Sequence, residues 1–226
     1  MSTGTEIRQV PLAIVGMACR LPGADGLDAF WQMLIEGRSA VADLPHNRFD
    51  RDLYYDPKAG VRNKSYTFRG AVVSHDQLDL SQSPVPPALA READLAHQIL
   101  CLVAAEAFRH AGYDPCDLPT RNTGVYVGHT IGSDLAGDIQ NVRGIEETLS
   151  CLRDSDLLAE LDDAEKDSLC RDLAAEMTQH DPKLENSGSG LASHMVAGLV
   201  SKSFGLNGPF MAVNAACASS LAALLL

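Results

Sequence analysis

The chain reads as an α/β protein because short apolar runs alternate with amphipathic helical stretches along its 226 residues. Runs at 11–16, 124–128 and 210–214 have strand length, carry β-branched residues, and end in Gly or small residues. Helical spacing fills 27–36, 94–111, 191–204 and the stretch from 217 onward. Apolar content is ordinary for a globular protein, at 46%.

Taken in order, residues 1–10 form a polar leader, and the domain runs from 11 to 226. Pro11 to Gly16 is the first predicted strand, buried and turning at its end. After the loop Leu21–Gly26 comes a helix from Leu27, with Phe30, Trp31, Leu34 and Ile35 on one face and Gly37 as its stop. Residues 51–90 are loop-rich: a turn at Tyr54–Pro57, an irregular extended segment at Lys64–Val73, and a rigid Pro-rich stretch at Ser83–Pro87 that no helix can cross. Asp94 to Ala111 carries the strongest helical stripe, through Leu95, Ile99, Leu102, Val103, Ala107 and Phe108, and Gly112 closes it. His97 on this helix has no supporting motif and reads as a surface or satisfied core histidine. Asn122–Gly128 is the second strand, followed by a turn at His129–Ser133. Its Gly-x-x-x-Gly is a poor phosphate cradle, lacking a lysine and a second glycine pair.

Residues 144–183 differ in character. They are acidic and helical, as two amphipathic helices separated near Asp162-Asp163, and read as a solvated insertion. Glu185–Gly190 is a hinge, and Leu191–Phe204 a helix with Gly198 inside it. The third strand, Phe210–Asn214, then meets a run of small residues, Ala215, Ala216, Cys217 and Ala218, before the helix formers of Ser219–Leu226. A cysteine at a tight strand-to-helix turn is placed as a nucleophile, while on spacing alone a small core-filling cysteine is the commoner alternative. First-turn N–H groups and the helix dipole favour a thiolate, and the same N–H groups can hold the oxyanion formed on attack at a thioester.

A formal charge of −12 makes nucleic acid and anionic membrane surfaces poor candidate partners. No apolar run is long enough to span a bilayer, and no secretory signal opens the chain. The six cysteines are scattered without a C-x-x-C pair, which points to a reducing cytoplasm and away from zinc or a disulfide framework. The closing run Leu221–Leu226 has no helix-stop residue, so the reading frame is expected to continue.

Val213-Asn-Ala-Ala-Cys-Ala-Ser-Ser-Leu-Ala-Ala223 resembles the active-site segment of β-ketoacyl synthases, the condensing enzymes of fatty-acid and polyketide assembly. The opening resembles polyketide-synthase condensing domains too, through Gly16-Met-Ala-Cys-Arg-Leu-Pro-Gly-Ala24, the Phe30-Trp31 helix and Pro45-x-x-Arg-Phe-Asp50. So does the approach Phe204-Gly-Leu-Asn-Gly-Pro209. Wording in the 64–73 region and at Asp94-Leu-Ala-His-Gln98 is closest to synthases of polyunsaturated fatty acids. Two departures stand out: Asn214 replaces the usual Asp and Leu199 the usual Arg, a pair of changes that can compensate each other.

The resemblance implies the thiolase-like fold, a duplicated αβαβα layered sandwich of which this chain is the first half only, with the helical acidic insertion added. It implies an acyltransferase in which Cys217 takes an acyl chain from a phosphopantetheine thiol and a malonyl unit then condenses with it, losing carbon dioxide. Substrates would arrive on acyl carrier protein, as acyl and malonyl thioesters, with no cofactor bound to the chain and no metal. A homodimer is implied for the complete enzyme. Two histidines from the family's second half would supply much of the decarboxylation chemistry. Residues 1–226 carry neither motif, so the chain alone is expected to accept acyl groups at best. The rivals are a thiolase-like acyltransferase that does not decarboxylate and a non-catalytic scaffold half, which typically loses the cysteine. A cysteine hydrolase on another fold leaves the opening forty residues unexplained.

Overall fold

The computed structural model describes residues 12–73, 79–87, 93–130, 134–177 and 193–226. The leader and the 185–190 hinge lie outside them. The chain divides into two compact units, Met1–Asp79 with Val103–Pro119, and Leu80–Leu102 with Thr120–Leu226.

In the first unit, β1 (Arg20–Leu21) and β2 (Ala24–Asp25) form a short antiparallel hairpin. Helix α1 (Leu27–Ile35) follows, and Gly37 at φ 62° ends it as expected. Trp31, Leu34 and Ile35 are exposed. The turn Asp50–Tyr55 holds a helix that the sequence reading missed, α2 (Arg51–Tyr54), N-capped by Asp50, whose side chain accepts the Leu53 N–H. β3 (Ala42–Asp43) pairs antiparallel with β4 (Arg69–Gly70), the one regular piece of the extended 64–73 segment.

The first predicted strand is corrected. Residues 12–19 form no strand, and Leu12, Ile14 and Val15 are 78, 77 and 70% exposed. The segment instead leans on the second half of helix α3 (Leu95–His110). The Met17 N–H donates to His110 Nδ1, Arg20 pairs with Glu106, and a Cβ at Gly16 would lie 2.3 Å from the Ala107 carbonyl oxygen. Apolar, β-branched composition favours extended backbone, but a strand needs an edge to pair with. Among the described residues none is offered here.

In the second unit, β5 (Val125–Gly128) and β6 (Phe210–Val213) pair in parallel, with Val125 opposite Phe210 and Gly128 opposite Val213. Parallel neighbours need a long crossover, and the acidic helical stretch lies within it. Its helices are α4 (Asp134–Arg153) and α5 (Asp163–Met177). The break between them runs from Asp154 to Asp162, with a 3-10 turn at Asp156–Leu158, and α5 starts at Asp163, where the sequence placed the separation. Asp162 Oδ1 accepts the Glu165 N–H at 2.8 Å while Glu165 Oε2 accepts the Asp162 N–H at 3.0 Å, a reciprocal capping box. Ile145 and Leu149 are buried, and Arg153 pairs with Asp167 at 2.9 Å.

Helix α6 (Met195–Ser203) packs on both strands and supplies the core: Val196, Ala197, Leu199, Val200, then Phe204 and Leu206. Gly198 leaves room for the Phe210 ring, which would stand 3.3 Å from a Cβ there. Gly205, at φ 62°, turns the chain out of the helix, and the Leu206 N–H returns to the Ser201 carbonyl at 2.8 Å. At Gly208 a Cβ would sit 2.5 Å from the Thr123 backbone, so this approach to β6 requires glycine. Helix α7 (Ser219–Leu225) packs on β5 and β6.

Candidate active site

β6 ends at Val213, and the chain reverses through Asn214 and Ala215 into a single 3-10 turn, Ala216–Ala218, that runs directly into α7. Cys217 is the middle residue of that turn and is exposed. The strand-to-helix elbow expected from the small residues is therefore present.

The turn is tight enough to place Ala216 at φ 50°, in the left-handed region that an alanine rarely occupies. Side chains hold both peptide groups beside it. Asn214 Oδ1 accepts the Ala216 N–H at 3.1 Å. Ser219 Oγ donates to the Ala216 carbonyl at 2.7 Å and accepts the Ala215 N–H at 2.9 Å. Asn214 Nδ2 in turn donates to Thr130 Oγ1 at 3.0 Å, just past the end of β5. The neighbouring His129 N–H donates to the Val213 carbonyl at 3.1 Å, continuing the parallel ladder beyond the strands.

Gly128 explains how α7 comes so close. A Cβ on Gly128 would lie 2.8 Å from both Ser219 C and Ser220 N. The glycine admits the first turn of the helix that follows the cysteine. Close packing accounts for this glycine; the remainder of its predicted turn, 131–133, lies outside the described residues.

The other sequence candidates fall into place around the elbow or away from it. Asn214 keeps hydrogen bonds on both ends of its amide, to Ala216 and Thr130. Leu199 is 5% exposed within the α6 core. A groove of about 570 Å³ lies between α4 and α5, lined by Glu146, Arg153, Asp167 and Arg171 among others, and no elbow residue borders it. Exposed His46 and Asp52 and half-buried Asp50 were not singled out from sequence: they bring ligand atoms within 4.8 Å of one another, although Asp50 already serves as the α2 cap.

Among the cysteines, Cys116, Cys151 and Cys217 are exposed, and Cys101 is fully buried. Burial pushes the Cys101 thiol up to about 12, so it stays protonated and inert.

His97 is buried, at 1% exposure, as a core histidine would be, but among the described residues Nδ1 has no hydrogen-bond partner. Its ring meets His129 edge-on at 5.5 Å, and His129 Nδ1 lies 2.8 Å from Ser193 Oγ. Burial holds His97 below the ordinary histidine value of 6.5; Asp94 opposes this and His129 reinforces it. Between pH 6.5 and the lowered folded value, the unfolded chain takes up a proton that the folded chain refuses. The stability from neutral His97 is thus fully present above pH 6.5 and is lost as pH falls through the folded value. Urea unfolding at pH 7.5 and 5.5 is expected to show a smaller acid loss in His97→Leu than in the parent; an equal or larger loss in the variant rules the account out.

Residues 9–226 match the family model described as "Beta-ketoacyl synthase, N-terminal domain". The chain is 32% identical over 220 residues to a PKS-NRPS hybrid synthetase of Aspergillus candidus, covering 94% of this chain and 7% of that protein. It is 31% identical over 219 residues to polyketide synthase GfsB of Streptomyces halstedii, covering 95% of this chain and 3% of that protein. It thus spans a small fraction of the curated relatives it matches. Among solved structures, an oxazolomycin ketosynthase domain of Streptomyces albus aligns with TM-score 0.61 and 27% identity, over 93% of this chain and 30% of that one. A ketosynthase from module 6 of the bacillaene synthase of Bacillus subtilis aligns with TM-score 0.62 and 25% identity, over 94% and 28%. The parallel strand pair, the glycine-lined approach and the cysteine elbow thus sit in a thiolase-like fold, and the chain belongs to the β-ketoacyl synthase family, of which it carries the N-terminal domain.

Proposed function

We propose that Cys217 is the acyl-accepting nucleophile of a condensing enzyme of polyketide or fatty-acid assembly. The observation that carries this is the elbow: an exposed cysteine in the first turn after β6, held by side-chain hydrogen bonds on both sides of a left-handed residue. The Cys217 sulfur, once deprotonated, attacks the carbonyl carbon of an acyl thioester. The tetrahedral oxyanion collapses, the carbon–sulfur bond to phosphopantetheine breaks, and the pantetheine thiolate leaves and takes a proton. The product is an acyl-cysteine. First-turn backbone N–H groups serve the oxyanion.

Acyl carrier protein is the proposed donor, and the phosphopantetheine belongs to it. In the complete enzyme, a homodimer in the cytoplasm, a malonyl thioester would lose carbon dioxide and its carbanion would attack the acyl-cysteine. Domain limits of 11–226 with an insertion near 144–183 belong to the same reading. The described residues contain no helix long and apolar enough to cross a membrane.

Incubation with an acyl-pantetheine thioester, followed by intact mass and peptide mapping, tests the reading. A single acyl group on Cys217 is expected. Cys116 and Cys151, also exposed, are internal controls; label spread evenly over the three, or absent from Cys217, overturns the assignment.

A further inference from the structure

We propose that Thr130 is a positioning residue for Cys217, acting through Asn214 to hold the elbow in its left-handed turn. The inference rests on the reading of Cys217 as the nucleophile.

Ala216 at φ 50° is a conformation with an intrinsic cost for any residue with a Cβ, of about 1 kcal/mol or more. It persists only if neighbours hold it. Ser219 holds the carbonyl side, from within the same turn. Asn214 Oδ1 holds the N–H side. An asparagine on a loop is free to rotate unless its other end is fixed, and here Nδ2 is fixed by Thr130 Oγ1 at 3.0 Å. The two amide atoms are assigned by chemistry: the Ala216 N–H requires an acceptor, so the carbonyl oxygen faces it and the NH₂ faces Thr130.

Thr130 is itself anchored. The His129 N–H donates to the Val213 carbonyl, and Gly128 is opposite Val213 in the ladder. The strap therefore runs from the exit of β5 across to the exit of β6, one residue before the nucleophile's own turn. Asn suits this strap because it both accepts from Ala216 and donates to Thr130, leaving the threonine hydroxyl its own proton. The carboxylate common at this position in the family would accept at both ends and need that proton from Thr130.

Iodoacetamide alkylation of the 226-residue chain, with each cysteine followed by peptide mapping, tests the strap without any acyl substrate. Thr130→Val and Asn214→Ala are each expected to slow alkylation of Cys217 by about two- to tenfold, the span of one hydrogen bond, while Cys116 and Cys151 keep their rates. The double variant is expected to be no slower than the slower single, because both break one strap. Thr130→Ser, which keeps the hydroxyl, is expected to restore the parent rate. An unchanged or faster Cys217 rate in Thr130→Val, additive effects in the double variant, or a Thr130→Ser rate as slow as that of Thr130→Val overturns the proposal. If the parent chain alkylates as expected but takes no acyl group, the functional reading fails and the strap stands.

Discussion

Cys217→Ala is expected to abolish acyl transfer from a pantetheine thioester, by at least about a thousandfold, because the neighbouring hydroxyl, Ser219 Oγ, is a far weaker nucleophile than a thiolate and is engaged by the Ala215 and Ala216 peptide groups. The variant is expected to fold as the parent does. Cys217 is exposed, so the unfolding midpoint should correspond to a change within about 0.5 kcal/mol. The pair of measurements separates chemistry from folding. Cys217→Ser extends the test: the backbone and side-chain size are kept, but an alkoxide is far harder to form than a thiolate at neutral pH, so the serine variant should also show almost no label. Acyl label that survives in either variant, at the rate of the parent, means that another residue accepts the acyl group. Cys101 is not that residue, since burial keeps its thiol protonated.

Gly128→Ala is expected to be the most damaging single-methyl change near the elbow. The added Cβ would lie 2.8 Å from two backbone atoms of Ser219 and Ser220, and neither belongs to a side chain that can swing away. Either β5 or the first turn of α7 must shift, at a cost of about 1–3 kcal/mol. In a domain of this size that is a fall in Tm of roughly 2–10 °C. Because α7 begins directly after the cysteine turn, the same shift should also slow alkylation of Cys217. Gly144→Ala supplies the opposite sign. Gly144 lies within α4 with open space around its Cβ position. Alanine there should be neutral or stabilising by up to about 1 kcal/mol. Thermal unfolding of the two variants side by side decides the matter: equal shifts would show that close packing is not what Gly128 provides.

Much of this molecule was legible in the residues because the informative signals are local. Gly37 and Gly112 ended the predicted helices, since positive φ is cheap only for glycine. The helical period marked α3 and α6, and α5 starts at Asp163, where the acidic pair placed the separation. The D-x-x-E capping box at Asp162 and Glu165 was also present in the sequence as a start signal, and was not used. The family was legible from the words around Cys217 and from the opening segment.

What the sequence left open is what depends on a partner far along the chain. Residues 12–16 carry strand composition, yet pairing requires an edge, and these residues lean on a helix more than ninety positions later. His97 could be placed on a helix but not firmly in a core, and only packing shows its ring buried beside His129, with Nδ1 unpartnered among the described residues. Asn214 could be seen to have lost a charge; its bond to Thr130, 84 residues away, appears only when β5 and β6 lie parallel. The sequence alone determined the α/β class, the helix ends, the family and the identity of the nucleophile candidate, because composition, turn chemistry and motif are properties of neighbouring residues. Tertiary structure alone decided that Gly128 must be glycine and that a threonine steadies the elbow, because close approach and hydrogen bonding between distant segments exist only after the chain has folded.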